Sequence, residues 1–328
     1  MLATAFTELT GISAPVVQAP IAASPVLAAA VSEAGALGQL SCSYAPPAEI
    51  AALVADTLAR TARPVACNFV LEWDQPARLE AALAAGARIV TTHWGDPAPL
   101  APAIRAAGAL WIHTAGSLEE AARGLELGCD ALVAQGWEAG GHVRSEVATL
   151  ALVPRVVDLA GAVPVLAAGG IGDGRGLAAA LCLGAAGAWL GTRFVNCAEA
   201  PMHPRYQAAV AAAGTEDTAR PAPFLVSWDG EHRALRTPLV RAWEEAGRPG
   251  QGARPGEGET VATTAAGKPI PRYHYASPRV GVDGRIEEMA LYAGQGVGLV
   301  GEPLPAAQIV AELVREAEAA LARAAGRS

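Results

Sequence analysis

Eight short apolar runs, each followed by an Ala/Leu-rich stretch of helical period, fill the first two thirds of this 328-residue chain. The runs are residues 16–20, 36–40, 64–69, 87–92, 109–114, 130–134, 163–168 and 187–190, and the stretches are 25–34, 46–60, 75–85, 99–107, 117–127, 148–159, 173–183 and 204–213. Local signals agree with the helices. Ser24 precedes Pro25 as an N-cap with proline at the first helical position, Gly35 closes that helix, and Ser117-Leu118-Glu119-Glu120 has the spacing of a capping box. Strands rich in Val, Leu and Ala, with little polar alternation, suit a sheet covered on both faces. Repeated βα units of this kind predict the α/β class and a closed (βα)8 TIM barrel; an open doubly wound sheet is the alternative.

After residue 213 the pattern breaks. Residues 214–284 are rich in Pro, Gly, Arg and polar residues, have little helical period, and are interrupted by Trp228, Trp243, Tyr273, His274 and Tyr275. Residues 247–258 contain Arg-Pro-Gly twice and read as a loop. The expected organisation is a barrel of residues 1–213 and 285–328 with an inserted lid subdomain, 214–284, that excludes water from one end; a solvated appendage is the alternative. The helical pattern returns over 287–293, ahead of Gly294-Gln295-Gly296-Val297-Gly298, and 305–323 reads as a closing helix.

Composition excludes several classes. A net charge of −8 gives no reason to expect nucleic acid or an anionic membrane as partner. Apolar stretches are broken well before the roughly 20 residues that a membrane span needs. The N-terminus lacks the basic segment of a signal peptide, and five cysteines without paired spacing read as core residues of a cytoplasmic protein. Lys268 is the only lysine and lies in a Gly/Pro-rich segment, which argues against Schiff-base and pyridoxal phosphate chemistry. No H-x-H, H-E-x-x-H or G-x-S-x-G spacing occurs, so neither a metal site nor a serine nucleophile is expected.

Function in such a barrel belongs to the C-terminal ends of the strands. There the chain places Ala19, Pro20 and Ile21 after the first strand, Asn68 after the third, His113 on the fifth, and Gln135 on the sixth. The sixth leads into Gly-Trp-Glu-Ala-Gly-Gly-His, ending at Gly140, Gly141 and His142. Ala168, Gly169 and Gly170 follow on the seventh, and Gly191, Thr192, Arg193 and Phe194 follow the eighth. Adjacent glycines expose main-chain N–H groups. Glycines after strands seven and eight, at helix starts, form a phosphate site that needs no lysine and can add the Thr192 hydroxyl. The segment from Gly170 to Gly174 is not a G-x-G-x-x-G and does not open the chain, so a Rossmann fold is rejected. His142 is the titratable group placed to exchange protons near neutral pH. His93, beside Trp94, is expected to be a packing or loop residue, and Glu138 to orient backbone.

The runs Gln135-Gly136-Trp137-Glu138-Ala139-Gly140-Gly141-His142, Ala167-Ala168-Gly169-Gly170-Ile171, Gly191-Thr192-Arg193-Phe194, Gln18-Ala19-Pro20 and Ala290-Leu291-Tyr292-Ala293-Gly294-Gln295-Gly296 resemble those of nitronate monooxygenases, formerly called 2-nitropropane dioxygenases. The resemblance spans nearly the whole chain. It implies FMN in a (βα)8 barrel, contacted by Asn68, Gln135, Gly140, Gly170 and Gly191 to Phe194, with Ala19, Pro20, Ile21, His113, Gly141, Ala168, Gly169 and Gln295 completing the surround. It implies that His142 stands beside the flavin and either fixes an anionic nitronate or takes the α-proton of a neutral nitroalkane. The implied reaction oxidises an alkyl nitronate, propionate 3-nitronate among them, with O2 to a carbonyl compound and nitrite. The chain departs from the common pattern at Ile21, at Val143-Arg144-Ser145 and at His113, positions that bear on substrate.

Two relatives with the same FMN site give the alternative: a flavin-type enoyl-ACP reductase or an NAD(P)H:quinone reductase, using NAD(P)H seated by Arg233, Arg236 or Arg241. A flavin-free binding module is the reading from another class, and the doubled phosphate-site glycines weigh against it. The partners expected are a small nitronate or nitroalkane and O2, with NAD(P)H only under the alternative; a homodimer is allowed by the sequence but not required by it.

Overall fold

The computed structural model describes residues 2–326. Eight parallel strands form one sheet: β1 (Val16–Gln18), β2 (Gly38–Ser41), β3 (Val65–Val70), β4 (Ile89–His93), β5 (Leu110–Ala115), β6 (Ala131–Gln135), β7 (Val165–Ala168) and β8 (Gly187–Leu190). From β2 to β8 each pairs with the next in sequence, and β8 pairs with β1. The remaining seam, between β1 and β2, is joined through Leu37, whose N–H donates to Val16 O (2.9 Å) and whose carbonyl accepts from Gln18 N–H (3.0 Å). The sheet is therefore a closed barrel, and the open doubly wound alternative fails because neither β1 nor β2 is a free edge.

The helices form for reasons visible in their ends and faces. In α2 (Pro25–Glu33) Ser24 Oγ accepts from Leu27 N–H, and Gly35 turns the chain with φ +90°. In α3 (Pro47–Arg60) the positions Ile50, Val54 and Thr57 fall on one face and are buried against β2 and β3. The Ser117 cap of α6 (Leu118–Glu126) accepts from Glu120 N–H as expected, but the Glu120 carboxylate accepts from Gly116 N–H (2.7 Å), one residue before the cap. In α8 (Gly174–Cys182) Asp173 caps the first turn.

Inside the barrel the lower layers are apolar: Val17, Leu37, Ala66, Ile89, Ile112, Val133 and Leu166 form one buried cluster with Trp189. A short helix not foreseen from the sequence, α1 (Ala5–Thr10), closes the N-terminal mouth by inserting Phe6, fully buried, beneath that cluster. Thr4 caps it and ties it to the barrel by donating to Ala186 O (2.7 Å). One end of the barrel is thus plugged, and only the C-terminal mouth is open to chemistry.

Residues 214–284 pack on that mouth with some regular structure of their own. Thr218–Ala219 and His232–Leu235 join the two-residue strand Gly141–His142 in an antiparallel sheet, in which His232 faces His142 and Arg233 faces Gly141. The helix Pro238–Glu245 buries Leu239, Val240 and Trp243, and Thr260–Thr263 pairs with Pro269–Pro271 and Asp283–Gly284. Residues 287–293 depart from the expected helix. A single 3-10 turn, Ile286–Glu288, gives way to extended chain, because Leu235 N–H donates to Leu291 O (2.8 Å) and strand-like pairing outweighs local helical period. The closing helix Ala306–Ala324 buries Ile309, Val310, Leu313 and Ala317 against Leu27 and Val31 of α2 and Leu177 and Ala178 of α8. Among the described residues no helix is long and apolar enough to cross a membrane.

Replacing Phe6 by Ala removes the plug and leaves a cavity under the barrel. We expect a loss of about 3–5 kcal/mol in stability, read from urea unfolding, with the C-terminal mouth untouched.

Candidate functional site

The C-terminal mouth and the segment packed on it enclose a cavity of about 410 Å³. Alternation along each strand decides what reaches it. On β2, β3 and β4 the inward polar positions form a relay. Asn68 Nδ2 donates to Thr91 Oγ1 (2.9 Å), Thr91 Oγ1 to Gln39 Oε1 (2.8 Å), and Gln39 Nε2 to Gln18 O (2.7 Å). The relay fixes the Asn68 carboxamide at the cavity wall. On β6 Gln135 Nε2 donates to His142 O (3.2 Å), so the strand end holds the loop that returns across it.

The two glycines before His142 serve different needs. A Cβ on Gly140 would lie 2.3 Å from Gly294 N, so Gly140 lets this loop press against the 293–294 backbone. Gly141 has φ +72° with nothing within 4 Å of a Cβ position; here the left-handed backbone, not crowding, favours glycine.

His142 is set by rings. Its imidazole stacks on Trp228 with centroids 3.4 Å apart and planes 19° apart, with Trp94 edge-on at 5.8 Å and His232 and Tyr292 at 5.3 and 5.4 Å. Burial, then the neighbouring His232 and His93, push its pKa well below the ordinary histidine value, so the resting ring is neutral. Its Nε2 is buried without a hydrogen-bond partner, and it is not alone. His93 Nδ1, Thr114 Oγ1, Gln135 Oε1 and Trp228 Nε1 are in the same condition, and all five residues line this one cavity. An unsatisfied buried polar group costs about 1–3 kcal/mol, so their convergence marks the cavity as built for a ligand with matching donors and acceptors.

Of the other sequence-selected residues, Ala19, Pro20, Ile21, Gly191 and Thr192 line the cavity with Asn68, Gln135, Gly140, Gly141 and His142. Thr192 Oγ1 accepts from Gly294 N–H (3.0 Å), which keeps its own proton available. Gly169 (φ +113°) and Gly170 (φ +71°) form the turn after β7, beside the cavity rather than in its wall. A Cβ on Gly169 would come within 2.6 Å of Thr149 Oγ1, whereas Gly170 is exposed. Ala168 is packed inside the barrel.

Four side chains go elsewhere. His113 points outward, toward α6: its Nδ1 pairs with Thr92 Oγ1 (2.8 Å), and a Cβ on Gly124 would meet its ring at 2.9 Å. The reason is parity, since one step along a strand reverses the face, and Thr114 is the residue of β5 that faces in. Arg193 and Phe194 lie on the short helix Thr192–Val195 and turn away, Arg193 donating to Val300 O (2.8 Å) beside Glu312 and Phe194 joining the outer core. Gln295 docks by its N–H on Glu138 O (2.9 Å) and does not line the cavity. Conversely His93, expected to be packing, is a wall residue; burial, then His113 and Arg144, lower its pKa to about 4. Glu138 orients backbone as expected, accepting from Thr149 N–H and Oγ1.

The sequence reading did not place Tyr44, Tyr206, Trp228, Tyr275, Arg279 or Tyr292 at the site. The aromatic clustering within 214–284 was the available signal. Of the arginines considered for a second nucleotide, Arg233 and Arg236 are already committed, whereas Arg241 is exposed in a long surface pair. Arg233 is buried over the Trp137 ring at 4.0 Å and donates to Trp137 O (3.0 Å), Arg236 pairs with Glu244, and Arg241 with Asp217. Lys268 is exposed at a turn. Among the described residues no metal-binding cluster occurs.

Comparison with known proteins gives a consistent result. The family model described as nitronate monooxygenase matches residues 3–79 and 72–316. A nitronate monooxygenase of Pseudomonas aeruginosa is 32% identical over 368 residues, covering 95% of this chain and 98% of its own. A (3aS,4S,5R,7aS)-5-hydroxy-7a-methyl-1-oxo-octahydro-1H-indene-4-carboxyl-CoA dehydrogenase of Mycobacterium tuberculosis is 36% identical over 253 residues, covering 75% of this chain and 70% of its own. Among solved structures, FabK from Thermotoga maritima matches with TM-score 0.81 at 27% identity over 100% of both chains. A nitroalkane oxidase from Streptomyces ansochromogenes matches with TM-score 0.78 at 28% identity, over 98% of this chain and 99% of that one.

The buried histidines also set a pH dependence. His93, His113 and His232 have pKa values lowered to about 4, chiefly by burial, against about 6.5 in the unfolded chain. A depressed folded pKa gives stability that is full above 6.5 and is lost as pH falls toward 4. His113, away from the cavity, isolates the effect. In His113→Gln the slope of unfolding free energy between pH 6 and 4.5 should be shallower than in the wild type by up to about 1.4 kcal/mol per pH unit, measured by urea titration at each pH.

Proposed function

The chain belongs to the nitronate monooxygenase family, and from that premise we propose that it is an FMN-dependent oxidoreductase that oxidises alkyl nitronates with O2 to a carbonyl compound and nitrite. The observation that carries the reading is the set of five unpartnered buried polar groups, His142 Nε2 among them, in a cavity edged by main-chain glycines. These residues fit a flavin. Asn68, Gln135 and the backbone of Gly140 and Gly141 offer donors and acceptors for the polar edge of its ring system. Gly191 and Thr192, with Gly169 and Gly170 alongside, offer main-chain N–H groups and a hydroxyl for its phosphate, with no lysine needed. Bound there, FMN supplies two-electron chemistry between the organic substrate and O2.

The chain's own contribution centres on His142. A neutral imidazole is suited to both forms of substrate. Toward a neutral nitroalkane, Nε2 accepts the α-proton. Toward a nitronate, Nε2–H holds the anionic oxygen, and the incoming negative charge favours the protonated ring that burial otherwise disfavours. In both cases the face of Trp228 lies against the imidazolium, an arrangement that stabilises a cation over an aromatic ring. The tyrosine and tryptophan walls keep water away from the reacting carbon.

The second reading, an NAD(P)H-dependent reductase, is favoured by the likeness to FabK and weakened by the commitment of Arg233 and Arg236 within the protein. Oxygen uptake with ethyl nitronate or propionate 3-nitronate in the absence of a nicotinamide cofactor supports nitronate oxidation; NADH or NADPH oxidation with a quinone or an enoyl thioester, and no turnover of either nitronate, overturns it.

The purified protein is expected to be yellow and to release FMN on denaturation. His142→Ala should keep its flavin and lose about 100-fold or more in turnover, the range typical of a removed acid–base group. Unchanged turnover in that variant removes His142 from the chemistry.

A further inference from the structure

Most arginines in the segment packed on the barrel mouth have a carboxylate partner: Arg220 pairs with Glu231, Arg254 with Glu257, and Arg272 and Arg285 with Glu288. Arg279 is different. It lines the cavity, and the charged or titratable groups that act on it are the phenols of Tyr206 and Tyr44; among the described residues no Asp or Glu pairs with it. One terminal nitrogen donates to Ile21 O (2.5 Å) and the other meets Met202 Sδ at 3.7 Å. A guanidinium has five N–H donors in a planar fork that suits a carboxylate, so most of this fork is uncommitted. A largely buried cation without a counter-charge is expensive, and an anion entering the cavity is what relieves it.

The position of the cation matters as much as its isolation. Arg279 is fastened beside Ile21, after β1, whereas His142 follows β6, well round the barrel. A ligand that reaches both presents one end to the imidazole and the other to the guanidinium.

Building on the function proposed above, we propose that Arg279 is a specificity-determining residue that selects substrates carrying, besides the group that reacts beside His142, a second anionic group of the carboxylate type at the opposite end. The competing source of such an anion is the phosphate of the cofactor, and the test separates the two.

The FMN-loaded wild type, Arg279→Gln and Arg279→Lys are compared in three measurements. Binding of 3-nitropropionate and of uncharged 1-nitropropane is followed anaerobically by tryptophan fluorescence, since Trp228 and Trp94 border His142. KM and kcat are measured for propionate 3-nitronate and ethyl nitronate. The dissociation constant of FMN is measured for each protein. In Arg279→Gln the preference for 3-nitropropionate over 1-nitropropane should fall about tenfold or more, the scale of a charge-assisted bidentate contact. The KM ratio of the two nitronates should move by the same factor, and Arg279→Lys should restore part of it. Equal weakening of charged and uncharged ligands overturns the assignment. So does a tenfold loss of FMN affinity with an unchanged ligand preference, which places the guanidinium on the cofactor. A wild type that turns over no nitronate, yet binds 3-nitropropionate selectively through Arg279, sinks the oxidation reading and leaves the anion site standing.

Discussion

Two residues of backbone pairing hold the site together. Gly141–His142 would be a free loop after β6 were it not hydrogen-bonded as a strand to His232–Arg233. That pairing fixes the His142 backbone, and so determines which rings its imidazole meets. It also places the 214–284 segment over the barrel mouth, because His232–Leu235 is anchored on one side by His142 and on the other by Thr218–Ala219. Gly140 completes the join by letting the 293–294 backbone approach to a distance that no side chain would permit. Wall, floor and roof of the cavity therefore share one ladder.

The cavity is electrically unusual. Three histidines near one another, His93, His142 and His232, each disfavour a charge, through burial first and, for His142, through the other two. Trp and Tyr rings fill the space between them and add no charge. Into this neutral enclosure the protein puts a cation, Arg279, held by a backbone carbonyl and a thioether. In such surroundings the charge of an arriving molecule is little screened, and its placement relative to imidazole and guanidinium carries more weight than it would in water.

The strands and helices of the barrel were legible because periodicity and capping residues are local properties. β8 falls at Gly187–Leu190, as the apolar run suggested, and Ser24, Ser117 and Asp173 cap the helices they precede. What was not legible depends on distant partners. Nothing near His113 or His93 says which faces the barrel interior; closure of the sheet sets that parity, and it sends His113 to α6 and His93 to the cavity. Residues 287–293 have helical period, yet they run extended to pair with Leu235. The core of the site was visible in its glycines and in His142 through a family likeness. Trp228, Tyr275 and Arg279 were not, since their roles arise only when a segment far along the chain folds back over the strand ends.

The closing helix Ala306–Ala324 has a consequence for how the protein is made. It wedges between α2 and α8, the helices that follow the first and seventh strands, where a Cβ on Gly174 would collide with Leu313 O. A segment far along the chain thus clasps the helix of the first repeat to that of the seventh. Earlier repeats can collapse as they emerge, but the ring stays unlatched until residues 306–324 have been made, and a nascent chain arrested before that point has a sheet without its buckle.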